Sequence, residues 1–357
     1  MDFGFVFLST PEAYKDVALA ERLGFSHAWL YDSQMLCADV YAALALVAAN
    51  TKKIKIGPGV TNPSSRIAPV TANAMATINA IAPGRVILGI GTGNTARRTL
   101  GMPAAKVSEM REHIDICRGL MAGKTVPYHE GERHRQIKFL NPKTGWLNLK
   151  DKIPIYAAAS GLKSFEMAGE VADGVIMFGA VGPSLVNFVM SKVRAGAERA
   201  GRNPKRIYSL VMTTMHLTRP GEKLESPAVR RAVGPFVVSA SNLFALAANE
   251  PGELPDDLRA DLLTFRDAYR APDESAETRH LKLYSGYLTT FKKEHERLVT
   301  EKMIRETTLT GTPDEVVAAV RRMEKAGINQ VAIQPVSDIR KTIEVFAKHV
   351  IRPLNRR

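Results

Sequence analysis

Cysteine is scarce in this chain. Of 357 residues only Cys37 and Cys117 are cysteines, far apart and without metal-ligand spacing. That rules out a disulfide framework and makes a reducing cytoplasm the simplest location. Long apolar runs are missing too. None approaches the ~18 residues of a membrane span, and the N-terminal stretch MDFGFVFLST lacks a basic leader, so neither membrane insertion nor a signal peptide is expected. The formal net charge of +13 is not gathered into a basic stripe. It is scattered over KKIK at 52–55, the Arg-Arg pairs at 97–98, 230–231 and 321–322, and the C-terminal Arg-Arg. With no recognisable module and no interleaved aromatics, a nucleic-acid partner is not expected. A diffuse positive field instead favours anionic small molecules in a cleft. No Ser-His-Asp arrangement has usable spacing. His129, Glu130, Glu132 and His134 read as the solvated rim of a hairpin rather than a metal cluster.

What the chain does have is alternation. Eight short apolar runs, at 3–8, 27–32, 54–60, 86–91, 153–159, 174–179, 207–217 and 330–336, are separated by amphipathic segments. Most runs are continuously apolar, as strands covered on both faces should be. PEAYKDVALAERLG opens with Pro11 and stops at Gly24. TPDEVVAAVRRMEKAG has Thr312 as its cap, Pro313 in the first turn and Gly327 at its end. This grammar predicts an α/β fold, a (β/α)8 barrel formed as a single domain over residues 1–357. The length beyond a minimal barrel goes into a hairpin-like insertion at 124–151 and a mostly helical insertion at 218–310. The larger one follows the seventh strand, where it would act as a lid over the catalytic face.

Three glycines alternate in VILGIGTGN: Gly89, Gly91 and Gly93. They do not make a dinucleotide fingerprint. The spacing is not G-x-G-x-x-G, the strand is fourth in order, and Glu109, the acid some 20 positions on, sits in a helical pattern. Alternation places them on one side of a strand, either for close packing inside the barrel or to let a flat group approach the backbone. Other strand ends are also small: Gly57 and Gly59 after strand three, YAAASG after strand five, FGAVG after strand six. Ser160 and Gly161 add backbone N–H groups at a helix start, where phosphate is readily held.

Several stretches resemble the bacterial luciferase-like superfamily of flavin and deazaflavin oxidoreductases, most of all its methylenetetrahydromethanopterin-reductase-like branch. They are AERLGFSHAWLYD, VTNPSSRIAPVTANAMATINAIAPGRVILGIGTG, PIYAAASGLKSFEMAGEVADGVI and LTGTPDEVVAAVRRMEKAGINQVAI. The resemblance covers nearly the whole chain except 218–305. It implies a cofactor ring across the C-terminal mouth of the barrel, buttressed by a bulge with a non-prolyl cis peptide at Gly59-Val60. It puts Thr92, Gly93 and Asn94 at the ring's polar edge, with Asn62 and Asp32 on the rim. Ser160, Gly161, Gly179 and Ala180 would hold the phosphate, with Ala159 also among the cofactor-binding residues. Deazaflavin-dependent members often have Asp-His after strand two; here the sequence reads Asp32-Ser33-Gln34. That departure favours reduced FMN with oxygen, hence a monooxygenase acting on a small organic substrate, with a separate flavin reductase as a partner. The alternatives are hydride transfer with coenzyme F420, a deazaflavin, and a non-catalytic barrel that binds a ligand or protein. Asp32, Ser33 and Tyr284, the last in the 218–310 insertion beside His280, Lys282 and Tyr287, are the catalytic candidates. A homodimer or higher homo-oligomer is expected.

Overall fold

In the computed structural model, which describes residues 1–247, 253–268, 275, 277–278, 280–281, 291, 293–336 and 338–355, each of the eight apolar runs contains a strand. They are β1 (Asp2–Phe7), β2 (His27–Leu30), β3 (Lys55–Pro58), β4 (Leu88–Ile90), β5 (Ile155–Ala159), β6 (Gly174–Phe178), β7 (Tyr208–Thr213) and β8 (Gln330–Ile333). Every ladder is parallel, in the order β3-β2-β1-β8-β7-β6-β5-β4. Two single bridges, Ile56 to Val86 and Thr61 to Ile90, join the β3 and β4 edges. The sheet is thus nearly closed into the expected barrel.

Parallel pairing forces crossovers, and helices supply them, covering the outer face. Phe5, Phe7, Leu30 and Ile56 turn outward into the large core beneath the helices, while Val6, Trp29, Ile176 and Met212 turn inward. Burying each large apolar side chain stabilises the fold by about 1.5–3 kcal/mol. Local signals set the helix ends. Asp39 caps Val40–Asn50 through bonds from the Tyr41 and Ala42 N–H groups at 2.9 and 3.0 Å. Thr312 caps Pro313–Lys325 with a reciprocal bond to Glu315, as its position in the sequence predicts.

The insertions show where periodicity falls short. The seventh run is not one strand: after β7, Met215–Leu217 leaves the barrel and pairs in parallel with Leu309–Gly311. Residues 124–151 contain an antiparallel hairpin, Val126–Glu130 with Arg133–Ile137. His129 on this hairpin pairs with Glu112 at 2.8 Å. The helix Pro227–Ala247 packs over the C-terminal end of β6, with Phe236 against Phe178 at a ring separation of 4.6 Å. Lys282, Tyr284 and Tyr287 lie outside the described residues. Among the described residues, no helix is long and apolar enough to cross a membrane.

Candidate active site

At the C-terminal mouth several strand ends carry glycine or alanine in place of bulky side chains. A Cβ on Gly57 would lie 2.1 Å from the Ile87 carbonyl oxygen, so Gly57 serves strand packing, and one on Gly59 would lie 2.8 Å from Trp29 Cβ, so bare backbone there packs against Trp29. The next peptide, Gly59-Val60, is cis, at the position the sequence assigns to the bulge. Val60 rests on the interior cluster around Trp29, as does Tyr31. The three alternating glycines divide by role. A Cβ on Gly89 would lie 2.2 Å from the Pro58 carbonyl oxygen, so Gly89 serves strand packing. One on Gly91 would meet Val60 Cγ2 at 2.9 Å and the Ala158 Cβ at 3.3 Å, both on the cavity wall. Gly93 has left the strand: it has φ +77° and precedes the short helix Asn94–Arg98. Left-handed backbone there favours glycine whatever occupies the cavity.

These small residues open a cavity of about 430 Å³ to which the ends of all eight strands contribute. Leu8, Leu36, Phe178, Met212, Leu243 and Ile339 provide apolar wall; Asp32, Ser33, Thr92, Asn94, Ser160 and Gln334 provide polar groups. Asp32 is buried, 4% exposed. Its Oδ2 accepts from Thr61 Oγ1 at 2.7 Å and from Arg66 Nη1 at 2.8 Å. Arg66 also pairs with the helix-capping Asp39 and lies over the Tyr41 ring at 4.6 Å. Burial works against the charge on Arg66, but the carboxylates of Asp32 and Asp39 outweigh it and raise its pKa. Burial likewise raises the Tyr41 hydroxyl well above the usual phenol range. The rim after β2 is therefore braced by a carboxylate-guanidinium-carboxylate chain resting on an aromatic face.

On the opposite side, β5 leads through Ser160 and Gly161 into the helix Leu162–Val171. The N–H groups of both residues donate to Ser164 Oγ at 3.1 Å, and that hydroxyl donates to the Gly161 carbonyl at 2.7 Å. The two N–H groups singled out in the sequence are thus already engaged. The first N–H groups of the helix itself, on Leu162 and Lys163, project from its N-terminus.

Of the sequence-derived candidates, Asp32, Ser33, Gly59, Val60, Thr92, Gly93, Asn94, Ala159 and Ser160 line this one cavity. Gly161 stands immediately behind it at the helix start. Asn62 is fully buried, with Oδ1 accepting from the N–H groups of Ser64 and Ser65 at 3.0 Å; it shapes the loop on which Gly93 packs. Gly179 and Ala180 do not reach the lining. A Cβ on Gly179 would lie 2.5 Å from Ala240, and Ala180 is fully buried, because the helix Pro227–Ala247 covers them. Tyr284 lies outside the described residues. Sequence reading missed Tyr31 and Gln334, which meet inside the cavity with the Tyr31 hydroxyl donating to Gln334 Oε1. Their spacing of 303 residues carries no local signal. Cys37 also faces the cavity, its thiol donating to the Ser33 carbonyl at 3.4 Å and raised in pKa by burial.

The family model described as luciferase-like monooxygenase matches residues 10–330. A 5,10-methylenetetrahydromethanopterin reductase of Archaeoglobus fulgidus is 32% identical over 99% of this chain and 100% of its own. The solved coenzyme F420-dependent tetrahydromethanopterin reductase of Methanopyrus kandleri superposes with a TM-score of 0.69 at 25% identity, covering 99% of each chain. A long-chain alkane monooxygenase shares the fold at 14% identity and a TM-score of 0.65, over 99% of this chain and 91% of its own. With the strand ends converging on one small-walled mouth cavity, these likenesses identify the chain as an oxidoreductase of the luciferase-like family, in its methylenetetrahydromethanopterin-reductase-like branch.

Proposed function

We propose that this protein is a coenzyme F420-dependent oxidoreductase that transfers a hydride between F420 and a small organic substrate at the barrel mouth. The observation that carries the choice of cofactor is the end-to-end likeness to tetrahydromethanopterin reductases; the alkane monooxygenase is like this chain in fold alone. F420 thus replaces the reduced FMN and oxygen that the Asp32-Ser33-Gln34 stretch suggests, and no separate flavin reductase is then required.

The residues present fit a flat cofactor. Val60 and the cis peptide form a platform, and Gly91, Ala158 and Ala159 form a wall that a Cβ on Gly91 would crowd. Thr92, Asn94 and Ser160 would hold the polar edge, and the N–H groups that open the helix Leu162–Val171 would take the phosphate. When bound, F420 supplies a two-electron hydride carrier. The chain's own contribution is placement and exclusion. Leu8, Leu36, Phe178 and Met212 give the platform an apolar surround, which would exclude water once the cofactor and substrate fill the mouth. The Asp32–Arg66 pair fixes the rim. Tyr31 holds a hydroxyl proton on Gln334 within the cavity, a group suited to serve the substrate as its charge changes. The test is parallel titration of the protein with F420, read by its fluorescence, and with reduced FMN under anaerobic conditions. F420 is expected to bind at least about tenfold more tightly, a difference of about 1.4 kcal/mol. Tighter FMN binding with substrate-dependent oxygen uptake would restore the monooxygenase reading.

A further inference from the structure

The outer wall of the barrel carries a second cavity, of about 720 Å³, that shares no lining residue with the mouth. It lies between the helix Pro313–Lys325 and the helical segment running from Ile339 to Asn355. Arg321, Arg322 and Lys325 line it from the first helix, Lys348 and His349 from the second, and Asp314 is its one acid. Residues 314, 317, 318, 321 and 325 recur at the i+3 and i+4 spacing that aligns one helix face. The opposite wall has an unusual backbone: Ala347–Ile351 is a π-helical turn inserted into an otherwise α-helical segment. Such turns are rare and concentrate at functional sites. Here the turn carries the adjacent Lys348 and His349, both of which face the groove.

Several cations elsewhere on the outer helices are paired. Arg111 meets Glu170, Arg199 meets Glu166 and Glu170, Arg305 meets Glu301, and Arg340 meets Asp16. Among the described residues, Arg321, Arg322, Lys325 and Lys348 carry no salt bridge. Glu324, adjacent to them in the helix, instead meets the N-terminal ammonium at 2.9 Å. Four fixed positive charges thus share one concavity with a single acid.

We propose that this groove binds a compact multivalent anion, a phosphorylated or polycarboxylate small molecule, with Arg321 and Lys325 on one side of it and Lys348 and His349 on the other. Guanidinium forks accept either chemistry in bidentate fashion. The test is calorimetric titration of the full chain at physiological ionic strength with tripolyphosphate, citrate and acetate. Saturable binding of tripolyphosphate or citrate, with none for acetate, is expected, and the tighter of the two identifies the chemistry. The double substitution Arg321→Gln with Lys325→Gln should weaken that binding at least about tenfold. So should Arg322→Gln with Lys348→Gln, which takes one cation from each wall and guards against a folding defect in the first variant. Lys52→Gln with Lys53→Gln, an exposed pair before β3, removes the same charge elsewhere and should change binding less than about twofold. Equal losses in the groove and control pairs would assign the binding to net charge alone and overturn the site. Absence of saturable binding in the parent protein would overturn it as well.

Discussion

Replacing Gly91 with alanine puts a single methyl group where the proposed cofactor ring meets the barrel. That methyl would lie 2.9 Å from Val60 Cγ2 and 3.3 Å from the Ala158 Cβ. Both neighbours are side-chain atoms, and a modest χ1 adjustment of Val60, costing about 0.5–1.5 kcal/mol, relieves the closer contact. Folding stability should therefore fall by about 1 kcal/mol and the melting temperature by only a few degrees. The ring, however, loses the slot itself, and F420 affinity should drop about tenfold or more, at least 1.4 kcal/mol. The neighbouring glycines give opposite signatures. Gly89→Ala drives its methyl to 2.2 Å from the Pro58 carbonyl oxygen; backbone must move, at a cost of about 1–3 kcal/mol in stability. Gly93→Ala must hold φ +77° against Asn62 Cβ at 2.9 Å, adding about 1–2 kcal/mol of left-handed strain. Gly91, not Gly93, is thus the clean reporter of cofactor contact. The assay is F420 fluorescence titration of each folded variant beside thermal unfolding without cofactor. Parental F420 affinity in Gly91→Ala, with its stability reduced, would refute the placement of the ring against this wall.

Four further outcomes are expected. Gly161→Glu, at a position with ordinary extended backbone (φ −131°), sets a carboxylate against the proposed phosphate and should weaken F420 binding at least about tenfold; a change within about twofold would move the phosphate elsewhere. Arg66→Ala leaves Asp32 buried without its guanidinium and should cost about 3 kcal/mol in denaturant unfolding; a loss below about 0.5 kcal/mol would make the pair incidental. His113 is buried in the helix Val107–Met121, and burial lowers its pKa from 6.5 to about 4. The folded state therefore holds the neutral ring, and this contribution is complete above pH 6.5 and is lost as pH falls toward 4. Melting temperature measured across that window should decline less steeply in His113→Gln than in the parent, and parallel slopes would contradict the assignment. Tyr31→Phe should retain F420 affinity while lowering turnover of whatever substrate is identified about a hundredfold; unchanged turnover would remove Tyr31 from the chemistry.

The barrel was legible because its strands are buried on both faces, and uninterrupted apolar runs mark such strands without any knowledge of their partners. IKIGPGV, VILGIG and GVIMFG need only their own composition to be placed. The end of the seventh run was misread for the same reason. Met215–Leu217 is also apolar, but its partner Leu309–Gly311 lies far along the chain, and composition does not record pairing. At the mouth, glycine spacing located the cavity wall but could not show that Gly93 turns left-handed, since alternation assumes a strand that has already ended. Ser160 and Gly161 were found through smallness, while the engagement of their N–H groups by Ser164 depends on a helical turn forming first. Tyr31 with Gln334, and Asp32 with Arg66, meet only once neighbouring strands of the sheet have assembled, and they leave no periodic trace.

The small parallel clasp of Met215–Leu217 with Leu309–Gly311, extended by the Thr218 N–H on the Gly311 carbonyl at 2.9 Å, has a consequence for how this scaffold can change. It ties the strands that lead into and out of the intervening segment to each other, so the two ends of that segment are already stitched. Loop-closure entropy grows only logarithmically, by about 0.6 kcal/mol for each doubling of length. Loop closure by itself therefore sets little limit on the length of chain between these two stitches, provided the cover that the helix Pro227–Ala247 gives to Gly179 and Phe178 is kept or replaced. The intervening segment can then vary in length while the barrel strands and the cis Gly59-Val60 peptide stay where they are, and an engineer can cut at the same two points.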